Sequence, residues 1–168
     1  MIIAIGGEPA SGKTTLLKDI IKNYKPLSTF KFKLVRGLYN KKNNIYFIGI
    51  YDNSVFSGTD KLSMAVQPDF FKFLDKVKNS LVIFEGDRLF NQSLFNKYKC
   101  KIVVLKADNK TLEGRHILRS DNQTEVFKKA KKTKIVNIIE KNNVILYNNN
   151  TDEEYKRLKL EIINLIQK

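Results

Sequence analysis

Cysteine is almost missing from this chain: Cys100 is the only one in 168 residues. A single thiol excludes an internal disulfide framework and fits a reducing, cytoplasmic compartment. With one histidine besides, there is no Cys/His cluster of the kind that holds structural zinc. No apolar run is long enough to cross a bilayer, so no membrane partner is expected. The chain opens directly on a strand-like run, without the basic leader and cleavage site of a secretory signal. Acidic residues are also short, 17 against 31 Lys and Arg, a net charge of +14. That balance suggests a polyanionic partner such as nucleic acid. Most of the excess is Lys, in a chain rich in Asn and Ile, a bias that an AT-rich genome supplies. Part of it is therefore expected to be solvated surface. Arginine is scarce, at Arg36, Arg88, Arg115, Arg119 and Arg157 only. A rigid, forked, permanently charged group marks places where phosphate must be clamped.

What is present is enough for one core: 42% hydrophobic and 29% charged residues, a globular mix. Ile2–Gly6 reads as a strand buried on both faces. Lys13–Tyr24 carries Leu16, Leu17, Ile20, Ile21 and Tyr24 at helical spacing, and Pro26 ends it. Phe30–Asp52 reads as a pair of strands joined by the polar turn "YNKKNN". Gln67–Asn79 is a helix with Phe70, Phe71, Leu74 and Val77 on one side. "SLVIFEGDR" and "KIVVLKA" are buried strands around a short helix, Asn91–Tyr98. Thr111–Ser120 and Glu125–Lys141 are helices, "NVILY" a further buried strand, and Asp152 or Thr151 caps the last helix. With no repeat or linker, the alternation predicts a single α/β domain over 1–168, with helices flanking a mostly parallel central sheet.

Gly7 to Thr14 reads G-x-x-x-x-G-K-T between a strand and a helix. The glycines permit backbone conformations in which successive N–H groups converge on an anion, and the helix presents its positive end to the same group. The pattern assigns Gly7, Ala10, Ser11, Gly12, Lys13, Thr14 and Thr15 to phosphate binding. Lys13 is to reach the terminal phosphates and Thr14 to offer its hydroxyl to Mg²⁺.

Glu85 and Asp87 follow an apolar strand, where ligands of open α/β sheets gather. One acid supports the metal and the other takes the acceptor's proton; their order stays open, and Arg88 steadies negative charge beside them. Arg115 and Arg119 share a helix face and are expected to close over a nucleotide as a lid, about 111–134. His116 between them is expected to be ordinary surface. The acceptor side, about 30–66, centres on "DNSVFSGTDKLSM", with Asp52, Thr59, Asp60 and Lys61 as donors and acceptors and Gly49 and Gly58 letting the chain turn closely. Arg36 joins them, and Tyr51 or Phe56 is placed to stack on a base. The stretch reads equally as an ordinary polar loop. The basic run "KKAKKTK" either touches a phosphate backbone or is a solvated helix face. "NNNTD" after the last strand is assigned to the adenine.

The loop "GEPASGKTT", the strand end "FEGDR" and the spaced arginines resemble the small P-loop kinases, and the order of parts matches theirs along most of the chain. "GTDKLSM", "FEGDR" and "NQTEVFKKAKKTKIVN" look similar to phage-encoded P-loop kinases, some of whose relatives phosphorylate 5-hydroxymethyluracil in DNA. The resemblance implies the three-layer P-loop kinase fold and a kinase using ATP and Mg²⁺, acting on a nucleotide or on a hydroxyl of a modified DNA base in a host cytoplasm. Lys13 and Thr14 would be phosphate and Mg²⁺ ligands, Glu85 and Asp87 metal and acceptor acids, Arg115 and Arg119 the lid. The strand-end acid is Glu85 where Asp is common. A nucleic-acid-stimulated ATPase and a nucleotide-sensing protein are the competing expectations. The oligomeric state is left open.

Overall fold

The continuous apolar runs need cover on both faces, and the chain supplies it with two sets of helices. The computed structural model describes residues 1–52, 57–118 and 124–167. In chain order its elements are β1 (Ile2–Gly7), α1 (Lys13–Lys22), β2 (Ser28–Phe32), β3 (Val35–Asn40) and β4 (Ile45–Ile48). Then come a single 3₁₀ turn (Thr59–Lys61), α2 (Val66–Lys76), β5 (Leu81–Glu85), α3 (Gln92–Lys97) and β6 (Lys101–Lys106). The chain closes with α4 (Asn109–Leu118), α5 (Glu125–Lys141), β7 (Val144–Asn148) and α6 (Asp152–Gln167).

Among the described residues the strands form one sheet of seven, ordered β2-β3-β4-β5-β1-β6-β7. From β4 to β7 every pairing is parallel, and only β3 runs against its neighbours. One face of the sheet packs Leu16, Leu17 and Ile20 of α1 and Leu158, Ile162 and Ile166 of α6 against Ile3, Ile5 and Val103. The other packs Phe70, Phe73 and Leu74 of α2, Leu94 of α3 and Ile135 and Ile138 of α5 against Ala4, Phe84 and Val104. Alternate residues of each central strand thus enter opposite cores, and the architecture is helix, sheet, helix.

Some expectations need correction. The pair of strands in Phe30–Asp52 is three strands. Lys33 adopts a left-handed φ of 52°, closing a tight turn with the 40% exposed Leu34, so the Phe30/Phe32 alternation ends there. β7 is the half-buried edge of the sheet rather than a buried strand. α1 stops at Lys22, short of Tyr24 and Pro26, where the Asn23 N–H turns back to the Ile20 carbonyl. On α2 the buried face is Val66, Phe70, Phe73 and Leu74; Phe71 and Val77 only flank it. Thr151 caps α6, its hydroxyl accepting from the Glu154 N–H at 3.2 Å. No helix among the described residues is long and apolar enough to cross a membrane.

Candidate functional site

At the carboxyl end of β1 the chain turns through a glycine-rich loop into α1. Ala10 and Gly12 both take positive φ, 62° and 96°, and Gly12 caps the helix with no side-chain hydrogen bond. The first turn, Lys13, Thr14 and Thr15, holds no acid, so the positive helix end is not neutralised locally. Lys13 curls over its own loop, its Nζ donating to the Glu8 carbonyl at 2.8 Å and to Ser11 Oγ at 3.4 Å. Ser11 is fully buried and Thr15 exposed.

The loop is gripped from behind. Asn149, 3% exposed after β7, donates its side-chain amide to the Ser11 carbonyl at 2.8 Å. Arg115 of α4 donates to the Asn149 carbonyl at 2.9 Å and to the Ala10 carbonyl at 3.4 Å. A Cβ on Gly12 would lie 2.3 Å from Asn149 Nδ2, so the glycine is required by this close approach as well as by its φ. Arg115 therefore acts here as a brace on the loop's carbonyls, where the sequence suggested a lid over it. Arg119, its expected partner, lies outside the described residues. His116 is 9% exposed, a buried residue and not the surface one expected, because α4 turns that face inward beside Leu112.

Glu85 ends β5, the immediate neighbour of β1, in register with Ile5. It is 1% exposed, and Thr14 Oγ1 donates to its Oε1 at 3.1 Å. Burial pushes its carboxyl up to about 7; the nearby Lys13 charge opposes this and Asp60 reinforces it. Asp87, two residues on, has a different setting. Lys131 and Lys134 of α5 both donate to its carboxylate, Lys134 at 2.6 Å and also to the Asp87 carbonyl at 3.1 Å. Partial burial raises its carboxyl, but the two ammonium groups outweigh that and hold it below the usual range. The two acids are thus separated chemically: burial raises the Glu85 carboxyl, and the two ammonium groups lower that of Asp87. Arg88 donates its N–H to Asp60 Oδ1 and its Nη2 to the Asp60 carbonyl, both at 3.1 Å, tying the strand end to the 57–61 segment.

That segment returns to the sheet through two facing glycines. Gly58 and Ile50 exchange both backbone hydrogen bonds, and a Cβ on Gly49 would fall 2.4 Å from the Gly58 backbone. Gly58 in turn leaves room for Glu85, whose Oε1 would lie 2.0 Å from a Cβ there. Thr59 is fully buried and donates to the Glu85 carbonyl at 2.9 Å, so Gly58, Thr59 and Asp60 line the acid. Asp52 pairs with Lys61. Tyr51 donates to the Ile48 carbonyl at 2.9 Å and packs against the α1-side core. Its phenol, pushed well above its usual range by burial and then by Glu85, braces this segment, in place of the expected stacking platform. Phe56 lies outside the described residues. Arg36 is exposed on β3 opposite Lys31, and its carbonyl accepts from the Gly49 N–H.

The arrangement brings a helix end without a side-chain cap, Lys13, a hydroxyl and a buried carboxylate to the carboxyl ends of two central strands, beside a lysine-bound acid. Sequence reasoning missed two contributors. Within "NNNTD", the stretch expected at the adenine, Asn149 donates its amide to the Ser11 carbonyl and fixes the loop. Lys131 and Lys134 were an unresolved charge run, yet stepping back four residues from Ile135 and Ile138 along α5 lands on Lys131 and Lys134. That places both on its inward face. No family model matches the chain, and no curated protein matches it.

Proposed function

We propose that the chain is an ATP- and Mg²⁺-dependent phosphotransferase with the P-loop kinase fold, its acceptor a hydroxyl on a nucleotide or on a modified base in DNA. The observation that carries the reading is the 3.1 Å contact from Thr14 to Glu85, which joins the first turn of α1 to the end of the neighbouring strand. One hydroxyl and one carboxylate are too few for a metal held by protein alone, and no group of three or more His, Cys, Asp or Glu stands ready among the described residues. They are the donor set that suits Mg²⁺, which keeps several waters and takes other ligands from substrate phosphates. Thr14 and Glu85 would hold the ion, whose chemistry is to neutralise charge on the phosphates.

The remaining work falls to the chain's own groups. The loop N–H groups and the α1 N-terminus bind the donor's phosphates, and Lys13 swings from the Glu8 carbonyl onto the terminal ones. Asn149 and Arg115 hold the loop's carbonyls, so that its geometry is set before the ligand arrives. Asp87, kept charged by two lysines, is a weak proton acceptor and serves as an anchor. Glu85, raised to about 7 by burial while no ion is bound, would be held ionised by the cation it helps to hold.

The test is transfer of label from γ-³²P-ATP to deoxynucleoside monophosphates and to DNA bearing ordinary or hydroxymethylated pyrimidines. Label is expected in one of these classes, and Lys13→Ala is expected to lose it while keeping the fold by circular dichroism. Full transfer by Lys13→Ala, or label in no acceptor, overturns the proposal. Phosphate release with DNA present and no labelled acceptor identifies a nucleic-acid-stimulated ATPase, and ATP binding without turnover a nucleotide sensor.

A further inference from the structure

Helix α5 carries a contradiction along its inward face. Its second half buries Ile135 and Ile138 against the sheet, as an amphipathic helix should. The same face continued toward the N-terminus presents Lys128, Lys131 and Lys134. Lys128 is held by Glu125 at 2.9 Å within its own helix. Lys131 and Lys134 have side chains only 26% and 30% exposed, and both bind the one carboxylate of Asp87. Lys131 also lies over the Phe127 ring, 4.8 Å from its centroid.

Two half-buried ammonium groups on one carboxylate leave a positive charge that this cluster does not neutralise. A structural anchor needs only one of the two, and desolvating a second cation costs energy that a single carboxylate charge offsets only in part. The place matters too. Asp87 stands two residues beyond Glu85. Phe90, three further on, packs its ring where a Cβ on Gly6 would be, 2.2 Å away, which presses the 86–90 segment against the base of the glycine-rich loop. The excess positive charge therefore sits on Asp87, two residues beyond Glu85 and on the α5 side of the sheet, whereas Asn149 and Arg115 hold the loop's carbonyls.

We propose that Lys131 and Lys134 form the subsite for a phosphate group carried by the acceptor, with Asp87 holding both ammonium groups in place between binding events. The inference rests on the phosphotransferase reading only in calling the phosphate-bearing molecule the acceptor. The shared chemistry is a phosphate close to the reacting hydroxyl, carried by a free mononucleotide or by a nucleic-acid strand. Lysine is a point-like cation on a flexible stem, so it can pass from carboxylate to phosphate without repacking the helix.

Binding without ATP tests the subsite independently of turnover. Fluorescence anisotropy with a labelled single-stranded oligodeoxynucleotide, and calorimetry with a deoxynucleoside monophosphate, are run on the full chain. Lys131→Gln/Lys134→Gln removes both charges and keeps donors for Asp87. Lys129→Gln/Lys132→Gln removes the same charge from the exposed face of the same helix. The inward pair is expected to weaken one probe about tenfold more than the outward pair. If the strand is the source, the slope of log affinity against log salt falls by about 1.4, two contacts at ~0.7 each. If the free nucleotide is the source, only the monophosphate responds. Asp87→Asn, which frees both ammonium groups, is expected to bind at least as tightly as the wild type. Equal losses in the two lysine pairs, wild-type binding by the inward pair, or weaker binding by Asp87→Asn overturns the proposal. A fluorescent ATP analogue, expected to bind the inward pair unchanged, keeps the two readings apart. If ATP does not bind, the phosphotransferase reading fails while the lysine comparison still decides the subsite.

Discussion

Glu85 concentrates the site's physics in one residue. In an unfolded chain its carboxyl titrates near 4.5, and in the fold near 7. The folded state therefore holds the proton more tightly, so Glu85's own contribution to stability is fully present below pH 4.5 and is lost as pH rises through about 7. The shift corresponds to roughly 3 kcal/mol, undiluted by solvent because the side chain is 1% exposed. Glu85→Gln removes the buried charge at nearly constant shape. Its thermal midpoint should exceed the wild type's by roughly 5–10 °C at about pH 8 and match it at about pH 4, while transfer falls at least about a hundredfold. Equal midpoints at both pH values would sink the account of Glu85 as a desolvated acid. Gly58 tests the room beside it. At φ 74°, with Glu85 Oε1 2.0 Å from any added Cβ, Gly58→Ala must strain the backbone and displace the carboxylate. A loss of more than about 2 kcal/mol is expected by urea unfolding, together with lost transfer.

Among the elements, α2 shows what sequence periodicity can and cannot decide. Phe73 touches the rings of Phe30, Phe32, Tyr46 and Phe70 and joins the antiparallel edge strands to the helix. Phe73→Ala should cost about 3–5 kcal/mol in urea unfolding, as should Phe70→Ala, with Phe71→Ala costing clearly less. A smaller loss at Phe73 than at Phe71 would contradict the packing. In "DFFKFLDK" three phenylalanines lie within four positions, so two neighbouring helix faces look equally apolar and only the sheet chooses between them. The central strands were legible because burial on both faces writes a continuous apolar run, as in β1, β5 and β6. The loop and Glu85 were legible because one glycine pattern and one strand end fix them locally. The turn at Lys33 was not, since nothing in "KFKLVR" announces a left-handed lysine. Nor were Asn149 on the Ser11 carbonyl and the two lysines on Asp87, which bridge 138, 44 and 47 residues and depend on how the elements pack.

For the whole molecule the question is whether its charge or its site governs anion binding. An excess of 14 positive charges raises a field that attracts any polyanion and opposes compaction. Salt screens that field, with a Debye length of about 8 Å near 0.15 M, so the thermal midpoint should rise as NaCl is added from about 20 mM to about 200 mM. A site behaves differently. Tripolyphosphate mimics the chain of phosphates that the glycine-rich loop is proposed to hold, and carries no base, sugar or acceptor. At about 200 mM NaCl most of its attraction to the general field is gone, and what survives reports on close contacts. At about a hundred times its dissociation constant it should stabilise the wild type by about 2.7 kcal/mol, a rise of roughly 5–10 °C in a chain of this length. Lys13→Ala lowers the net charge by one and leaves the field nearly intact, yet it removes the ammonium group that lies over the loop and is proposed to reach the phosphates. The rise should therefore vanish in Lys13→Ala and persist in Lys129→Ala, which removes an equal charge from the exposed face of α5. Equal stabilisation of the two variants in this scan would mean that the protein's overall charge, and not the loop at the end of β1, binds the anion.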